Sequence, residues 1–312
     1  MSKIMFIGDV HLSPRTPISR KDDYPQTLLN KLNEIKLLAK KHNIQDLVYL
    51  GDLFNTRHMT LAYFIKCFQI FKEIDDLNIN QHLIIGNHDI SYNNEDTTQE
   101  SPIQLLLDSN IFENKSFTRD DSHITLYNYT TDTQDINPPT NDGFNILVGH
   151  YFYALGFNDT EHTLSKEQCT NLHYDAYILG HDHTPYEPLL KGSYQVHRPG
   201  SLSRGTSQTC QVNRDTIKVL IYDSKSHEFT YEDLPNILLS KDVFKESTLI
   251  DKLDFSTLSE SLQSLLEDLN FDNSSDIFET LDSIQMDERV RNLITQYLNA
   301  EGVYRSGGLQ WH

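Results

Sequence analysis

Short apolar runs alternate with helix-spaced apolar positions through the N-terminal part of the chain. Three runs, at residues 3–7, 46–50 and 82–85, have the length and composition of buried strands. Between them, residues 26–41 and 60–77 repeat apolar side chains at the period of an amphipathic helix. Because strands separated by helices are joined by crossover connections, this pattern predicts a largely parallel sheet.

Further elements are predicted along the middle of the chain. Ser101 and Pro102 fit the N-cap and the first position of a short helix that runs to Leu107. Apolar or alternating runs predict more strands and a final hairpin. They lie at residues 123–127, 146–148 and 176–179, with the hairpin at 216–222 and 228–231.

Residues 239–312 have a different character from residues 1–238. Glycine is missing from about residue 240 until Gly302, and leucine and isoleucine recur at helical spacing between Asn, Ser and Asp breaks. This pattern predicts a first domain of residues 1–238 and a small acidic helical module of residues 239–312.

Composition narrows the class of protein. The chain contains no apolar run near 18 residues, and its first residues lack the shape of a signal peptide. We therefore expect no contact with a membrane and a cytoplasmic location, which is the host cytoplasm if a phage encodes the chain. The three cysteines are far apart, so no disulfide framework or thiolate metal site is expected.

The formal net charge is −19. Such a charge argues mildly against a protein that grips nucleic acid unaided, because phosphate contacts need Lys and Arg. Two considerations weaken that argument. Carboxylates that hold divalent cations are locally neutralised, and a basic partner subunit could carry most of the DNA contact.

Candidate chemistry lies where the apolar strands end. Gly180-His181-Asp182-His183 follows one strand, and four other strands also end in glycine followed by Asp, Asn or His. The polar residues at these ends are Asp9, His11, Asp52, Asn87, His88, His150, His181 and His183. Ligands of open α/β sheets bind at the carboxyl ends of strands. A lone Gly-Asp is usually a turn and a lone His is usually structural, but five matches in one topological position favour a metal site.

The identity and number of the metals follow from the same residues. Asp, Asn and His suit Mn²⁺, Fe²⁺ or Zn²⁺ better than thiolates would. Two ions about 3.5–4 Å apart also need one bridging carboxylate with ligands on either side.

The five motifs, in their order along residues 9–183, resemble those of the calcineurin-like metallophosphoesterase superfamily. The resemblance implies an α/β fold, a two-layer β-sandwich flanked by helices, and two divalent metal ions, with Mn²⁺ preferred over Mg²⁺, Fe²⁺ or Zn²⁺. It assigns one metal to Asp9, His11, Asp52 and His183. It assigns the other to Asp52, Asn87, His150 and His181, so that Asp52 bridges the two.

Two further residues near this set are catalytic candidates. The resemblance places His88 close to the scissile phosphate or the leaving oxygen, without a metal bond. Asp89 either orients an imidazole or stabilises a turn.

Gly51-Asp52-Leu53-Phe54 and Arg198-Pro199-Gly200-Ser201 are similar to segments of SbcD/Mre-type DNA repair nucleases, which include phage recombination endonuclease subunits. This resemblance implies a DNA exo/endonuclease, the catalytic subunit of an SbcCD-like repair and recombination complex. It implies DNA and an SbcC/Rad-type coiled-coil ABC ATPase as partners, with the nuclease as a homodimer. The helices after residue 239 would either dock on that ATPase or pack on the catalytic domain.

One position departs from the nuclease pattern. Many of these nucleases have a histidine three residues after the bridging aspartate, where this chain has Asn55, with His58 three residues further on. The exonuclease role of that histidine is therefore not carried over.

Contacts with DNA are expected from loops beside the motifs. The candidates for phosphate contacts are Arg15, Arg20, Lys21, Arg57, Arg198 and Arg204. Four aromatic residues could stack on bases, although such residues more often belong to the core: Phe54, Tyr92, Tyr151 and Phe152.

Two other functions are compatible with the sequence. One is a stand-alone metallophosphoesterase that acts on nucleotides, small phosphodiesters or phosphoproteins, which the acidic net charge favours. The other is a non-catalytic adaptor that acts through its helical C-terminus, which the complete ligand set disfavours.

Overall fold

The computed structural model describes residues 2–57, 59–91, 94–154 and 162–248. The helices in these ranges are α1 Tyr24–His42, α2 Leu61–Asp75, α3 Pro102–Asp108, α4 Lys166–Leu172, α5 Thr209–Val212 and α6 Ser240–Val243. The first strands are β1 Lys3–Ile7, β2 Asp46–Tyr49, β3 Asn80–Leu83, β4 Phe112–Glu113, β5 Phe117–Arg119, β6 Ser122–Tyr127 and β7 Phe144–Gly149. The others are β8 Phe152–Tyr153, β9 Thr163–Leu164, β10 Ala176–Leu179, β11 Tyr186–Lys191, β12 Tyr194–Arg198, β13 Lys218–Asp223 and β14 Glu228–Asp233.

Two six-stranded sheets form the body of the fold. The first has the order β14-β13-β1-β2-β3-β4, in which β1 to β4 are parallel and β13 runs antiparallel to β1. The second has the order β11-β12-β10-β7-β6-β5, in which β12, β10, β7 and β6 are parallel. The predicted parallel arrangement and the predicted β13–β14 hairpin are therefore confirmed.

The apolar runs are continuous because both faces of their strands are buried, as expected for parallel sheets. In β1, Ile4 and Phe6 enter the core between the two sheets. Met5 and Ile7 alternate with them and pack on the opposite face, in the core that contains the apolar stripe of α1. The outer face of the second sheet is covered in the same way by residues of α4, such as Cys169 and Leu172. The result is the predicted two-layer sandwich flanked by helices.

Local chemistry sets where the main helices begin and end. The Asp23 side chain accepts a 3.2 Å hydrogen bond from the Gln26 N–H, and Pro25 occupies the first turn of α1. Asn43 then ends α1 in the left-handed conformation. The predicted helix at Pro102 is also confirmed, although Ser101 makes no side-chain capping bond.

Residues 239–248 pack on the loop that follows β1. The N–H of Lys21 donates to the carbonyl of Val243 at 2.9 Å, and Phe244 is fully buried. The compact unit that contains the two sheets extends to Thr248. Most of the predicted acidic helical module, residues 249–312, lies outside the described residues. None of the described helices is long and apolar enough to cross a membrane.

Candidate metal centre and its cleft

The polar residues predicted as a site follow five strands of the two sheets. Those strands are β1, β2 and β3 in the first sheet and β7 and β10 in the second. Within each sheet these strands are parallel, so their carboxyl ends lie at one edge of that sheet. The side chains meet in three overlapping groups, in each of which the ligand atoms lie within 4.8 Å of one another. These groups are Asp9, His11 and His183; His11, Asp52 and His88; and Asp52, His150 and His181.

The first group is centred on two imidazoles. The Nε2 atoms of His11 and His183 are 2.9 Å apart. The Nε2 atom of His183 lies 3.6 Å from Oδ2 of Asp9, and that of His11 lies 3.7 Å from Oδ2 of Asp52. Four donor atoms therefore face one small volume.

The group of His150 and His181 is centred on the carboxylate of Asp52, which also lies beside His11. Nε2 of His150 lies 3.5 Å from Oδ2 of Asp52 and 3.1 Å from Oδ1 of Asn87. The ring of His181 is 4.8 Å from that of His150, centroid to centroid. Asp52 thus lies between the two groups, where a bridging ligand is needed.

The donor set fits divalent metal ions. Ligand atoms about 2.1 Å from one ion lie roughly 3 to 3.5 Å from each other, close to the separations seen here. The donors are carboxylate, amide and imidazole atoms, with no thiolate among the described residues of the cluster. His150 also satisfies the usual requirement that the second imidazole nitrogen be held, because Nδ1 contacts the carbonyl of Leu50 at 2.7 Å.

Glycines in the motifs leave room for these side chains. A Cβ atom on Gly86 would lie 2.2 Å from Oδ1 of Asp52, and one on Gly51 would lie 2.3 Å from Nδ1 of His150. Gly51 also has φ of +92°, which L side chains rarely adopt. The recurring glycine at the strand ends is therefore needed for close approach of the candidate ligands.

Three candidate ligands have left-handed backbone conformations. The φ angles are +48° at His11, +47° at Asp52 and +78° at His181. A residue other than glycine in this region costs of the order of 1–3 kcal/mol, and such residues cluster at functional sites. The fold therefore accepts backbone strain to aim these side chains at the centre.

Burial and charge set the protonation of the carboxylates. Burial, reinforced by the charge of Asp52, raises the pKa of Asp9 to about 7. Burial would also raise the pKa of Asp52, but His150 and His11 outweigh it and lower that pKa below its usual value. Asp52 is therefore the carboxylate that stays ionised, as suits a bridging ligand.

The imidazoles divide in the same way. Burial lowers the pKa of His11 and of His181 to about 3, so both rings are neutral at pH 7 and their lone pairs are available. Burial acts in the same direction on His150, but the carboxylates of Asp52 and Asp9 outweigh it and raise its pKa to about 9. A metal ion at this centre would have to displace that proton.

His88 occupies the open side of the centre. Its main-chain N–H donates to Oδ1 of Asp52 at 2.8 Å, and its Nδ1 contacts the carbonyl of Asn55 at 2.9 Å. The ring is exposed and meets that of His11 edge-on at 4.8 Å. Asn55 therefore orients His88 through its main-chain carbonyl, while His58 lies outside the described residues.

Asp89 holds two loops together. Its side chain is buried, and its carboxylate oxygens accept hydrogen bonds from the N–H of Gly86 at 3.0 Å and of Phe54 at 3.3 Å. Both partners are main-chain groups of the loops after β3 and β2. Of the two predicted roles, these contacts favour the structural one.

A segment after the last motif holds the main chain of Asp9, and no local pattern in the sequence indicates most of this role. The hydroxyl of Ser201 donates to the main-chain carbonyl of Asp9 at 2.9 Å. The N–H of Leu202 donates to the same carbonyl at 2.9 Å. Arg214 donates to the main-chain carbonyls of Ser201 and Ser203. Because the N–H of Ser201 also donates to the carbonyl of His183 at 3.2 Å, the Pro-Gly-Ser turn ties the first motif to the last.

Three of the predicted phosphate contacts are buried inside the protein. Arg20 forms a bidentate pair with Asp22 at 2.8 Å. Arg204 donates to main-chain carbonyls, including that of Arg214 at 2.6 Å, and Arg198 lies 3.7 Å over the ring of Tyr186. All three are at most 2% exposed. We therefore withdraw Arg20, Arg198 and Arg204 as candidate DNA contacts, because their guanidinium groups are engaged within the fold.

The other three cations remain near the surface. Arg15 is exposed and lines the cleft beside the metal centre. Lys21 is exposed and donates to the carbonyl of Lys241, and Arg57 is half-buried. Only Arg15 among the six is thus placed at the cleft by the described contacts.

The predicted stacking residues divide similarly. Phe54 and Tyr151 belong to the core, at 1% and 0% exposure, so they are not available to bases. Phe152 is 41% exposed, and its ring is 4.1 Å from that of His181. Tyr92 lies outside the described residues.

A cleft of about 980 Å³ opens beside the centre. His11, His88 and His183 form one wall, and the loop after β1 and the segment 203–211 form others. More than half of the lining residues have a hydroxyl or amide side chain, and none of the described lining residues is acidic.

Comparison with known proteins identifies the family. The model of the calcineurin-like phosphoesterases matches residues 2–185, which include all five motifs. The chain belongs to the calcineurin-like phosphoesterase family. This membership confirms the predicted resemblance and supports a hydrolase that uses divalent metal ions.

The chain is similar in sequence to one curated protein and in fold to the following two solved structures. Exonuclease subunit 1 of Enterobacteria phage T4 is 29% identical over 97 residues, which cover 30% of this chain and only 26% of that protein. A dimetal phosphatase from Danio rerio is 12% identical, with a TM-score of 0.49 over 74% of this chain and 95% of its own. The Thermus thermophilus protein TT1561 is also 12% identical, with a TM-score of 0.46 over 74% of this chain and 98% of its own.

Proposed function

We propose that this chain is a divalent-metal-dependent DNA nuclease, the catalytic subunit of an SbcCD-like complex. The observation that carries the proposal is the cleft of about 980 Å³ that adjoins the candidate metal centre. It has the size of the largest small-molecule pockets, which run to about 1,000 Å³. A phosphate group alone needs far less space. The cleft therefore has room for the nucleotides that flank a phosphodiester in a nucleic-acid strand.

The charge of the cleft supports a polyanionic substrate. The whole chain has 45 acidic residues and a net charge of −19. The described cleft lining nevertheless contains no carboxylate and includes the guanidinium of Arg15. The lining itself therefore adds no carboxylate repulsion against a negatively charged strand.

Under this proposal the candidate ligands hold two metal ions in the arrangement expected from the family. Asp9, His11, Asp52 and His183 hold one, and Asp52, Asn87, His150 and His181 hold the other. When bound, the ions polarise the phosphoryl oxygens and lower the pKa of an attacking water. Mn²⁺ is the ion we propose, because the donor set mixes imidazole with carboxylate and amide oxygen.

His88 then serves the leaving group. The carbonyl of Asn55 accepts a hydrogen bond from Nδ1–H of His88, which leaves Nε2 as the ring nitrogen that faces substrate. A protonated ring donates from Nε2 to the leaving oxygen, and either form can stabilise charge at the phosphoryl group. Phe152, exposed beside His181, offers a face for a base on the other side of the centre.

Partners follow from the similarity to a named subunit. The relative from phage T4 is called an exonuclease subunit, and the similarity to it covers part of both chains. We propose that this chain likewise acts in a complex on DNA, with a coiled-coil ABC ATPase and as a homodimer. Residues 239–312 are the proposed docking segment.

A phosphoesterase that acts alone on nucleotides or small diesters is the second candidate. Family membership is equally compatible with it, and the net charge of −19 favours it. The two candidates differ in whether a nucleic-acid strand is cut.

The test is a nuclease assay on a hairpin oligonucleotide with Mn²⁺, with and without a co-expressed coiled-coil ATPase. We expect degradation by wild type and loss of it in Asn87→Ala, while Asn141→Ala, at an exposed asparagine outside the five motifs, keeps wild-type activity. A protein that hydrolyses bis(p-nitrophenyl) phosphate but cuts no DNA under either condition contradicts the nuclease and supports the second candidate.

A further inference from the structure

Gln211 contacts one of the candidate ligands from outside the five motifs. It lies in α5, is fully buried, and its Nε2 is 2.9 Å from Nδ1 of His183. Its Oε1 accepts a 2.9 Å hydrogen bond from the N–H of Thr206. Residue 211 is beyond the segment 2–185 that matches the family model.

We propose that Gln211 is a positioning residue that fixes the ring of His183 as a metal ligand. The proposal rests on the metal centre described under the proposed function. An imidazole that binds a metal through one nitrogen needs a partner on the other to set its plane and tautomer. For His183, Nε2 faces His11 and Asp9, and Gln211 is the side chain hydrogen-bonded to Nδ1.

The hydrogen bonds specify a tautomer that metal binding must change. Because Thr206 donates to Oε1, the NH₂ of Gln211 faces Nδ1 of His183. Nδ1 then accepts, and the proton of the neutral ring is on Nε2, which donates to His11 at 2.9 Å. A metal at Nε2 requires that proton to leave and Nδ1 to carry one instead. The amide must therefore rotate to present its oxygen, at the expense of its bond from Thr206.

The Gln211 amide oxygen cannot accept from Thr206 and from Nδ1 of His183 in the present orientation. Substitutions at this position can therefore distinguish a positioning role from packing alone. A glutamate at position 211 could accept from Thr206 with one oxygen and from Nδ1 of His183 with the other, without rotation. A leucine fills similar space but offers no acceptor. If Gln211 positions His183, the leucine variant should weaken metal binding and the glutamate variant should not.

The same segment also holds the main chain of His183. Arg214 donates to the His183 carbonyl at 3.5 Å and to that of Ser203 at 3.2 Å. These bonds do not involve the Gln211 side chain, so they remain when that side chain is replaced. The imidazole orientation can therefore be tested apart from the backbone position.

The experiment is a calorimetric titration of metal-free protein with Mn²⁺. We expect wild type to bind two ions, Gln211→Leu to bind one of them about 10- to 100-fold more weakly, and Gln211→Glu to bind it at least as tightly as wild type. Gln195→Leu is the matched control. Gln195 also contacts a histidine ring, at 3.2 Å, but that histidine is His197, which is not in the cluster.

Two further measurements keep the outcomes separate. Circular dichroism melting checks that each variant is folded. In a His183→Ala background, Gln211→Leu should have no further effect on Mn²⁺ affinity, since its action passes through that ring. Equal Mn²⁺ binding by wild type, Gln211→Leu and Gln195→Leu overturns the positioning role and leaves the metal centre intact. Absence of Mn²⁺ binding by wild type overturns the metal centre itself.

Discussion

The main-chain N–H of His88 donates a 2.8 Å hydrogen bond to Oδ1 of Asp52, the carboxylate that lies between the two ligand groups. The same oxygen is the atom that a Cβ on Gly86 would meet at 2.2 Å. The loop after β3 and the proposed bridging ligand therefore fit together only if residue 86 has no side chain.

Gly86→Ala is expected to displace Asp52 or the loop that includes Asn87 and His88. Displacement of about 1 Å can reduce turnover about 100-fold, so we expect metal-dependent hydrolysis of bis(p-nitrophenyl) phosphate to fall by at least that factor. Gly192→Asn is the control, because no atom lies within 4 Å of a Cβ there and asparagine tolerates its φ of +66°. Wild-type turnover in Gly86→Ala would show that the loop can move without affecting the centre.

Metal removal should lower the melting temperature. The centre gathers the two buried carboxylates of Asp9 and Asp52, whose mutual repulsion bound cations would relieve. At a free concentration of 100 times Kd, one ion stabilises the folded state by about 2.7 kcal/mol. We expect Mn²⁺ to raise the melting temperature and EDTA to reverse the rise, with a smaller rise in Asn87→Ala. An identical melting temperature with millimolar Mn²⁺ and with EDTA would argue against any tight site.

Arg15→Ala should weaken the binding of a single-stranded oligonucleotide. Arg15 is an exposed cation at the cleft, so its loss removes about one phosphate contact and reduces the slope of log K against log salt by about 1. Fluorescence anisotropy at salt concentrations from about 50 to about 200 mM measures the affinity for the oligonucleotide and its dependence on salt. Lys72→Ala is the control, since Lys72 is exposed and paired with Asp75 and Asp76 on α2. Equal salt slopes for Arg15→Ala and Lys72→Ala would place the strand elsewhere.

His197 should make stability depend on pH without involving the centre. Burial lowers the pKa of His197 to about 4, against an ordinary value of 6.5. The unfolded chain therefore binds a proton at this residue between those values and the folded chain does not, so stability is retained above pH 6.5 and lost as pH falls towards 4. In urea titrations, we expect wild type to lose about 1–3 kcal/mol relative to His197→Phe over that range. Parallel curves for the two proteins would contradict this.

The clustering of the candidate ligands could be predicted from the sequence because they follow strands that are recognisable from their composition. A buried parallel strand is a continuous apolar run, and the glycine that ends it is required by the contact between Gly86 and Asp52, or between Gly51 and His150. Periodicity located α1 and α2 to within two residues. It missed β5 and β11, which are edge strands of three and six residues with mixed polarity.

The contacts that enclose the buried arginines and support the centre were harder to predict from the sequence. Arg20 and Arg204 lie in loop-like sequence. No local pattern shows that Arg20 donates to the carboxylate of Asp22, or that both guanidinium groups donate to main-chain carbonyls. Gln211 belongs to a helix of four residues, too short for any period to appear. Asp89 was predicted with two alternative roles, and only the distances to Gly86 and Phe54 distinguish them.

The antiparallel pairing of β13 with β1 has a consequence for synthesis of the chain. The first strand leaves the ribosome early, but its antiparallel neighbour, Lys218–Asp223, follows more than 200 residues later. At about 5–20 residues per second, that interval is roughly 10 to 45 s. A nascent chain that ends after His183 already carries every candidate ligand, yet it lacks Ser201, which fastens Asp9. Metal-dependent activity should therefore appear only after β13 has been synthesised and has paired with β1.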